Sequence, residues 1–416
     1  MRLDRYDSYA TEFRAHLRRV RADERGSWLL LSRSAFYPTA GGQLHDTGVL
    51  SVAGAALQVA DVQADEHGVW HLVEGPLPSE VSAAVASDVE AAEDPAGAAV
   101  HGVIDWARRY RHMQRHTAQH LLSQALVRTN PEYGTRSVSM RGADCTIDFG
   151  GEADEVSLAA VEAEANRAAR QALAVMCFEV DDVRLGEYRL RRPAQVRGKV
   201  RLVAIGNYDL VACGGTHLRN SAEALPLKIV GLERVKGGMN RLTFRAGEEA
   251  LADYAAKHDV ASRLGVALSA PTDALVERVE KLQADLVELG RKAAAARLSQ
   301  AAAIAQRLSV EAQNGLVSAY LSGDQAELFT ELVDLLQQEA GLVSLLAAPE
   351  STTNRVRFAF LAGPGAAADV RPALSAALAP LGGRGGGRPD RAQGAAQADQ
   401  EQAHAALASA AAQLRP

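Results

Sequence analysis

Three cysteines in 416 residues, at positions 145, 177 and 213, are too few and too scattered for a disulfide framework. Cys145 and Cys177 sit among apolar neighbours and read as core. Cys213 lies in a glycine turn with a histidine four residues on. Aromatic residues make up only 5% of the chain. No apolar run reaches the length of a membrane span, and Met1-Arg2-Leu3-Asp4-Arg5-Tyr6-Asp7 lacks the apolar core of a signal peptide. The expectation is a cytoplasmic protein with no membrane partner. Neither GxxxxGK[ST] nor GxGxxG occurs, so no ATP site is evident. With 45 basic and 51 acidic residues the net charge is -6, which argues against a broadly basic, non-specific nucleic-acid binder; RNA contacts would have to come from local patches.

What is present is a chain 47% hydrophobic and 23% charged, long enough for two to four domains. Ser27–Leu31, Leu57–Val62 and Val69–Val73 read as short strands punctuated by Gly26, Gly54 and Gly68, the texture of a small barrel. Between them lies Phe36-Tyr37-Pro38-Thr39-Ala40-Gly41-Gly42-Gln43-Leu44-His45-Asp46-Thr47-Gly48. Its paired glycines suit a hairpin loop or a close backbone approach to a ligand. A helix then carries His116 and His120, a hairpin follows Pro131, and a helix is expected over Glu155 to Val175. Its apolar stripe is Val156, Val161, Ala165, Ala168 and Ala172. A basic run (Arg184, Arg189, Arg191, Arg192, Arg197, Lys199, Arg201) suits a solvated face or phosphate contacts. Val200–Ile205, Tyr208–Ala212, Lys228–Val230 and Arg241–Phe244 read as strands, Gly237-Gly238 lying between the last two. Leu275, Val279, Leu282, Leu286 and Leu289 are spaced 4, 3, 4, 3, an a/d seam suited to a stiff or self-pairing arm. Beyond about Ser309 come a strand at Arg355–Leu361, a glycine-arginine loop at Gly382–Asp390 and an alanine-rich terminal helix. Arg384 and Arg388, set among glycines, suit close approach to an RNA backbone.

His116 and His120 project from one helix face, a turn apart. Cys213 and His217 repeat the spacing around Gly214-Gly215. Together they offer three imidazoles and a thiolate, the donor set of one tetrahedral zinc ion per chain. Four protein donors typify a closed structural site, whereas catalytic zinc keeps an open position. No independent nucleophile motif stands out, so water is the simpler nucleophile.

The segments Phe36-Tyr37-Pro38, Gly41-Gly42-Gln43, Asp46-Thr47-Gly48, His116-Thr117-Ala118-Gln119-His120 and Ala212-Cys213-Gly214-Gly215-Thr216-His217, with Lys236-Gly237-Gly238, Arg241 and the loop from Gly382 to Asp390, resemble the free-standing alanyl-tRNA editing proteins of the long form. These are similar to the editing and C-terminal parts of alanyl-tRNA synthetase. The resemblance covers nearly the whole chain. It departs at Ala40, where a third glycine is common, and at Leu44-His45, which replaces Pro-Gly. It departs again at Arg391–Ala396, which is poorer in glycine than usual.

The resemblance implies zinc ligands at His116, His120, Cys213 and His217, and a tRNA acceptor-end contact at Gly41, Gly42 and Gln43. It also implies hydrolysis of the ester joining serine, and sometimes glycine, to tRNA(Ala). A hydroxyl-reading pocket would separate serine from alanine. Candidate hydroxyl readers near the metal are Thr117 and Thr216, which are also the expected catalytic residues, with Thr135, Ser137 and Ser139 on the adjoining hairpin. Arg219 and Asn220 are candidate tRNA contacts at the terminal adenosine, with Arg384 and Arg388 as further candidate tRNA contacts. The expected fold is α+β and multidomain: a small β-barrel (1–100), an α/β zinc-containing editing domain with a mainly antiparallel sheet (101–248), a helical, coiled-coil-like arm (249–308) and a small C-terminal α/β domain (309–416). The last is a candidate for tRNA binding or for homodimer formation. The competing reading is a non-catalytic tRNA-binding protein with a purely structural zinc. A full aminoacylating enzyme is disfavoured.

Overall fold

The structure is a computed structural model, and it describes residues 1–82, 97–194, 197–350 and 353–414. The chain divides into two compact units, Met1–Arg263 and Leu264–Pro416.

The first unit opens with six strands: β1 (Glu12–Asp23), β2 (Gly26–Leu31), β3 (Gly48–Val52), β4 (Ala55–Asp65), β5 (Gly68–Glu74) and β6 (Ala99–Ile104). They close into a barrel in the order β1-β2-β5-β4-β3-β6, every neighbouring pair antiparallel. Alternation makes the barrel. Phe13, Ala15 and Leu17 of β1 point inward while Glu12, Arg14 and His16 face out. Closure leaves no free edge, because β6 pairs with both β1 and β3.

Helix α1 (Trp106–Thr129) follows directly. The Asp105 carboxylate caps it by accepting from the Arg108 N–H, and Asn130-Pro131 ends it, since proline cannot continue a helix. Nearly every residue from His112 to Leu126 is buried, so α1 runs through the middle of the unit. The hairpin β7 (Thr135–Ser139) and β8 (Cys145–Phe149) comes next, then α2 (Glu155–Arg170). This second helix is shorter than its sequence suggests. Gln171 caps it and Ala172 turns left-handed at φ +53°, and residues from Val175 form a strand instead. Its buried face is Leu158, Val161, Ala165, Ala168 and Ala169; Val156 is 78% exposed, and Ala172 lies beyond the helix.

Strands β9 (Val175–Asp181), β10 (Lys199–Ile205) and β11 (Asp209–Ala212) form one antiparallel sheet in the order β11-β10-β9. Strands β12 (Leu227–Val235) and β13 (Met239–Ala246), joined through Gly237-Gly238, extend the hairpin to β12-β13-β8-β7, again antiparallel throughout. The core between α1, α2 and this sheet includes Leu121, Leu122, Ile147, Phe149, Val161, Leu242 and Phe244. Helix α3 (Gly247–Leu268) follows and contains the division between the units.

The second unit begins its main part with α4 (Leu275–Val310), 36 residues long. Its heptad residues Val279, Leu286 and Leu289 are 42%, 69% and 60% exposed, whereas Ala301, Ala305 and Leu308 near its end join a core. Five strands, β14 (Leu316–Tyr320), β15 (Val343–Pro349), β16 (Val356–Ala362), β17 (Arg384–Arg388) and β18 (Arg391–Ala396), form a sheet in the order β14-β15-β16-β18-β17. The pair β14/β15 is parallel and the rest are antiparallel. Helices α5 (Phe329–Leu336), α6 (Val370–Leu378) and α7 (Gln400–Leu414) complete the unit. The glycine-arginine segment is not a loop: residues 384–388 are an exposed edge strand. Two of its glycines, Gly385 and Gly387, serve close packing. A Cβ at Gly385 would lie 2.8 Å from the Gln393 carbonyl and 2.9 Å from Leu378 Cδ1. The fold is thus mixed α+β and multidomain, with a closed six-stranded barrel and a long helix.

Candidate metal centre and its cavity

Helix α1 and the turn after β11 bring four donors together. The ligand atoms of His116, His120, Cys213 and His217 all lie within 4.8 Å of one another. The Cys213 Sγ is 3.2 Å from His116 Nε2 and 3.5 Å from His217 Nε2. Zinc bonds of about 2.0–2.3 Å place tetrahedral ligands about 3.3–3.6 Å apart, so these separations fit. The three rings pack at centroid distances of 4.3–5.2 Å, and all three histidines are buried. A Cβ at Gly215 would collide with the His116 ring, which is why glycine occupies that position.

Each histidine has an outer partner. The His116 Nδ1–H donates to Gln43 Oε1 at 2.8 Å; an amide oxygen only accepts, so Nε2 is left with its lone pair toward Cys213. Gln43 is fully buried, and its Nε2 donates to Thr216 Oγ1 at 2.8 Å while Oε1 also accepts from the Thr216 N–H at 3.3 Å. His217 Nδ1 lies 3.2 Å from Thr117 Oγ1, which also accepts from the Leu218 N–H at 3.2 Å. His120 Nδ1 lies 3.3 Å from Asp209 Oδ2, out of hydrogen-bond alignment. Asp209 Oδ1 in turn accepts from Arg191 Nε at 2.8 Å.

Electrostatics prepares the same set for a cation. Burial, with the nearby Arg201 charge, lowers His116 to about 3. Burial and the neighbouring imidazoles push His217 well below its ordinary value. For Cys213 burial acts upward, but His120, the Gly215 N–H and Arg201 outweigh it and the thiol is lowered. Neutral imidazoles at His116 and His217 and an acidified Cys213 thiol are protonation states a metal needs. Three imidazole nitrogens and one thiolate sulfur, with this spacing and these outer partners, fit zinc.

Two devices fix this geometry that sequence reasoning did not single out. Arg201, 4% exposed, donates from Nη1 to the Cys213 and Gly215 carbonyls at 2.8 and 2.9 Å and from Nε to the Arg5 carbonyl at 2.9 Å. It shapes the cysteine turn and is not free for phosphate. Arg109, seven residues before His116 and so on the same helix face, forms a fully buried pair with Asp46 and donates to the Ser8 and Ala35 carbonyls. That pair ties the glycine loop to the histidine helix. Only the loop's Asp46, in a chain region already marked by Gly41-Gly42-Gln43, offered a signal for it.

A cavity of about 230 Å³ opens over the donors, lined by His116, His120, Cys213, Gly41, Thr135, Arg192 and others. Gly41 and Gly42 form its turn: Ala40 and Gln43 exchange backbone hydrogen bonds at 3.1 and 2.9 Å, and both glycines have positive φ (+56° and +85°). That is the requirement of a type I′ turn, and here it turns Gln43 inward. Thr117 is buried against His217 and Thr216 against Gln43, and neither lines the cavity, which Thr135 does. Arg219 is exposed, lies 4.1 Å over the Tyr9 ring and pairs with Asp7 at 3.3 Å. Asn220 uses its amide to cap the turn at Ser221–Ala224 and to bond the Ala172 carbonyl. Neither lines the cavity. Within the basic run, Arg184, Arg191 and Lys199 pair with Glu187, Asp209 and Asp181. In the second unit Arg384 and Arg388 stand on β17, Arg388 3.5 Å from Asp390.

Comparison with known proteins shows what the chain is similar to. Residues 200–243, from β10 through the cysteine turn into β13, match the family described as the threonyl and alanyl tRNA synthetase second additional domain. Residues 10–94 match the class II (A) tRNA synthetases. The alanine–tRNA ligase of Pyrobaculum neutrophilum is 32% identical over 94% of this chain. The chain is related to the alanine–tRNA ligases. That of Pyrococcus abyssi is 29% identical over 93% of the chain, and that of Thermococcus kodakarensis is 35% identical over 59%. The chain spans 41% and 42% of the length of the P. abyssi and P. neutrophilum ligases. Among the described residues no helix is long and apolar enough to cross a membrane.

Proposed function

We propose that the chain is a hydrolase acting in trans on mischarged tRNA(Ala), releasing serine, and glycine as a second substrate, by attack of water on the aminoacyl ester. The observation that carries the reading is the cluster of His116, His120, Cys213 and His217 beneath a cavity of about 230 Å³, in a chain related to alanine–tRNA ligases. These four residues would hold one zinc ion, which when bound supplies Lewis acidity for polarising the ester or acidifying water.

The chain's own groups do the rest. Gln43 and Thr117 orient His116 and His217, and the Asp209 carboxylate lies beside His120. An aminoacyl ester is activated enough that positioning carries much of the rate. Thr135, hydrogen-bonded to Ser123 at 2.8 Å and facing the cavity, is the hydroxyl best set to read serine. A site built to bond that hydroxyl leaves its polar groups unpaired with alanine, and so rejects it. Gly41 at the cavity mouth would face the RNA end, with Arg219, Asn220, Arg384 and Arg388 as outlying RNA contacts. A cytoplasmic location and a homodimer through the C-terminal region belong to the same reading.

The test is deacylation: purified chain is expected to hydrolyse Ser-tRNA(Ala) and spare Ala-tRNA(Ala), and His116→Ala is expected to lose zinc and activity together. Equal rates on both esters would remove the specificity. Four protein donors also suit a closed structural site. That second reading expects tRNA binding with no deacylation above the spontaneous rate.

A further inference from the structure

The outer face of the β9–β10–β11 sheet carries a second, larger hollow, of about 800 Å³. Strand alternation places Met176 and Phe178 of β9, Ala204 of β10 and Leu210 of β11 along its floor. Phe178 and Tyr188 are half-buried with ring centroids 5.9 Å apart, and Met176 is 56% exposed. At the other end the Arg128 guanidinium lies 4.5 Å over the Tyr208 ring. The hollow is therefore apolar and aromatic, but its rim is basic.

The charge count is one-sided. Arg128, Arg189 and Arg191 line the hollow, and the only carboxylate among its lining residues is Asp209, already paired with Arg191. Arg189 is exposed and makes no ion pair among the described residues. Arg191 also lines the cavity over the metal donors, so the hollow and the cavity share a wall. A core defect would be neutral and closed. A groove for an acidic peptide would have basic groups but no use for half-exposed aromatic side chains such as Phe178 and Tyr188. Aromatic faces flanked by unpaired arginines are what a single-stranded nucleic acid uses, bases stacking and phosphates meeting the guanidinium groups.

We propose that this hollow is a binding groove for the single-stranded 3′ segment of an RNA, the nucleotides leading to the acylated end, with Phe178 and Tyr188 as the stacking shelf and Arg128 and Arg189 as phosphate contacts. The proposal rests on the hydrolase reading for why an RNA end should reach the cavity. Its own content, a groove selective for an unpaired 3′ tail, is independent of catalysis. A strand lying there would pass Arg191 on its way to the donors.

Binding of uncharged RNA tests it without hydrolysis. Fluorescence anisotropy would compare an RNA hairpin bearing a short single-stranded 3′ tail with the same hairpin cut blunt, using the full chain. The tailed RNA is expected to bind about tenfold tighter, the worth of one or two stacked bases. Tyr188→Ala and the surface variant Arg189→Glu should each shrink that preference, and Arg189→Glu should also flatten the salt dependence of binding. Arg189 is exposed, so its variant tests the groove even where Tyr188→Ala fails to fold. Equal binding of tailed and blunt RNA, or an unchanged preference in Arg189→Glu, would overturn the proposal. Tail-selective binding by a chain that deacylates nothing would leave the groove standing and remove the hydrolase reading; deacylation without tail selectivity would do the reverse.

Discussion

Gln43 is the residue whose replacement says most about the site. It is fully buried and makes three hydrogen bonds: from His116 Nδ1, from the Thr216 N–H and to Thr216 Oγ1. Gln43→Leu keeps the bulk and strands all three partners. A buried group left without its partner costs about 1–3 kcal/mol, and part is recovered as the Thr216 hydroxyl turns, so a loss of about 3 kcal/mol in folding stability is expected. The larger consequence concerns the metal. Without the Oε1 acceptor the His116 ring is free to rotate or to change tautomer, and loss of such an outer partner typically lowers metal affinity about 10–100-fold. Gln43→Glu retains an acceptor for the His116 and Thr216 N–H groups and should recover most of the affinity. Competition against a chelator of known zinc affinity reads the metal, and urea denaturation of the metal-free protein reads the fold. A Leu variant that binds zinc as tightly as the parent would refute the assigned tautomer and the role of the glycine loop as a ligand support.

Asp46→Ala should cost about 3–5 kcal/mol in urea denaturation, because it leaves the fully buried Arg109 charge without its carboxylate; a loss smaller than about 1 kcal/mol would count against the pair as the tie between barrel and helix. His71 is fully buried, donates from Nδ1 to the Leu29 carbonyl and is lowered to about 4 by burial. The folded state binds its proton less readily than the unfolded chain, so its share of stability is intact above about pH 6.5 and is lost as pH falls toward 4, about 3 kcal/mol in all. His71→Gln should flatten the stability–pH curve of the metal-free protein in that window, and an unchanged slope there would count against the buried neutral imidazole. Gly42→Ala should be worse for stability and zinc affinity than Gly41→Ala. Both need a left-handed backbone, but only at Gly42 does a Cβ come within 3.0 Å of the Val138 carbonyl, while at Gly41 nothing lies within 4 Å; equal melting temperatures would contradict this.

Local pattern carried much of the fold. An apolar run marked β2, alternation or β-branching marked β4 and β5, and the helix with two histidines a turn apart was legible because both residues serve one face. Where pattern misled, tertiary packing overrode it. The alanine-rich stretch after Arg170 carries no helix breaker, yet the chain turns at Ala172 to supply β9, a strand its neighbour β10 requires. The glycines near the end of the chain resemble a flexible loop, but their lack of side chains is what lets β17 lie against β18 and Leu378.

By itself the sequence supplied the donor types, since His-x3-His and Cys-x3-His taken together offer three imidazoles and a thiol. It did not determine what stands behind them. Gln43 and Asp209 are far along the chain from the histidines they face, His116 and His120. Thr117 and Thr216, adjacent to ligands and readable as substrate contacts, are turned by the fold into supports for them. Side-chain direction depends on which surfaces are buried against which, and burial is a property of the assembled chain. The same long-range packing removed Arg201 and Arg191 from the basic surface and left Arg189 and Arg192 exposed on it.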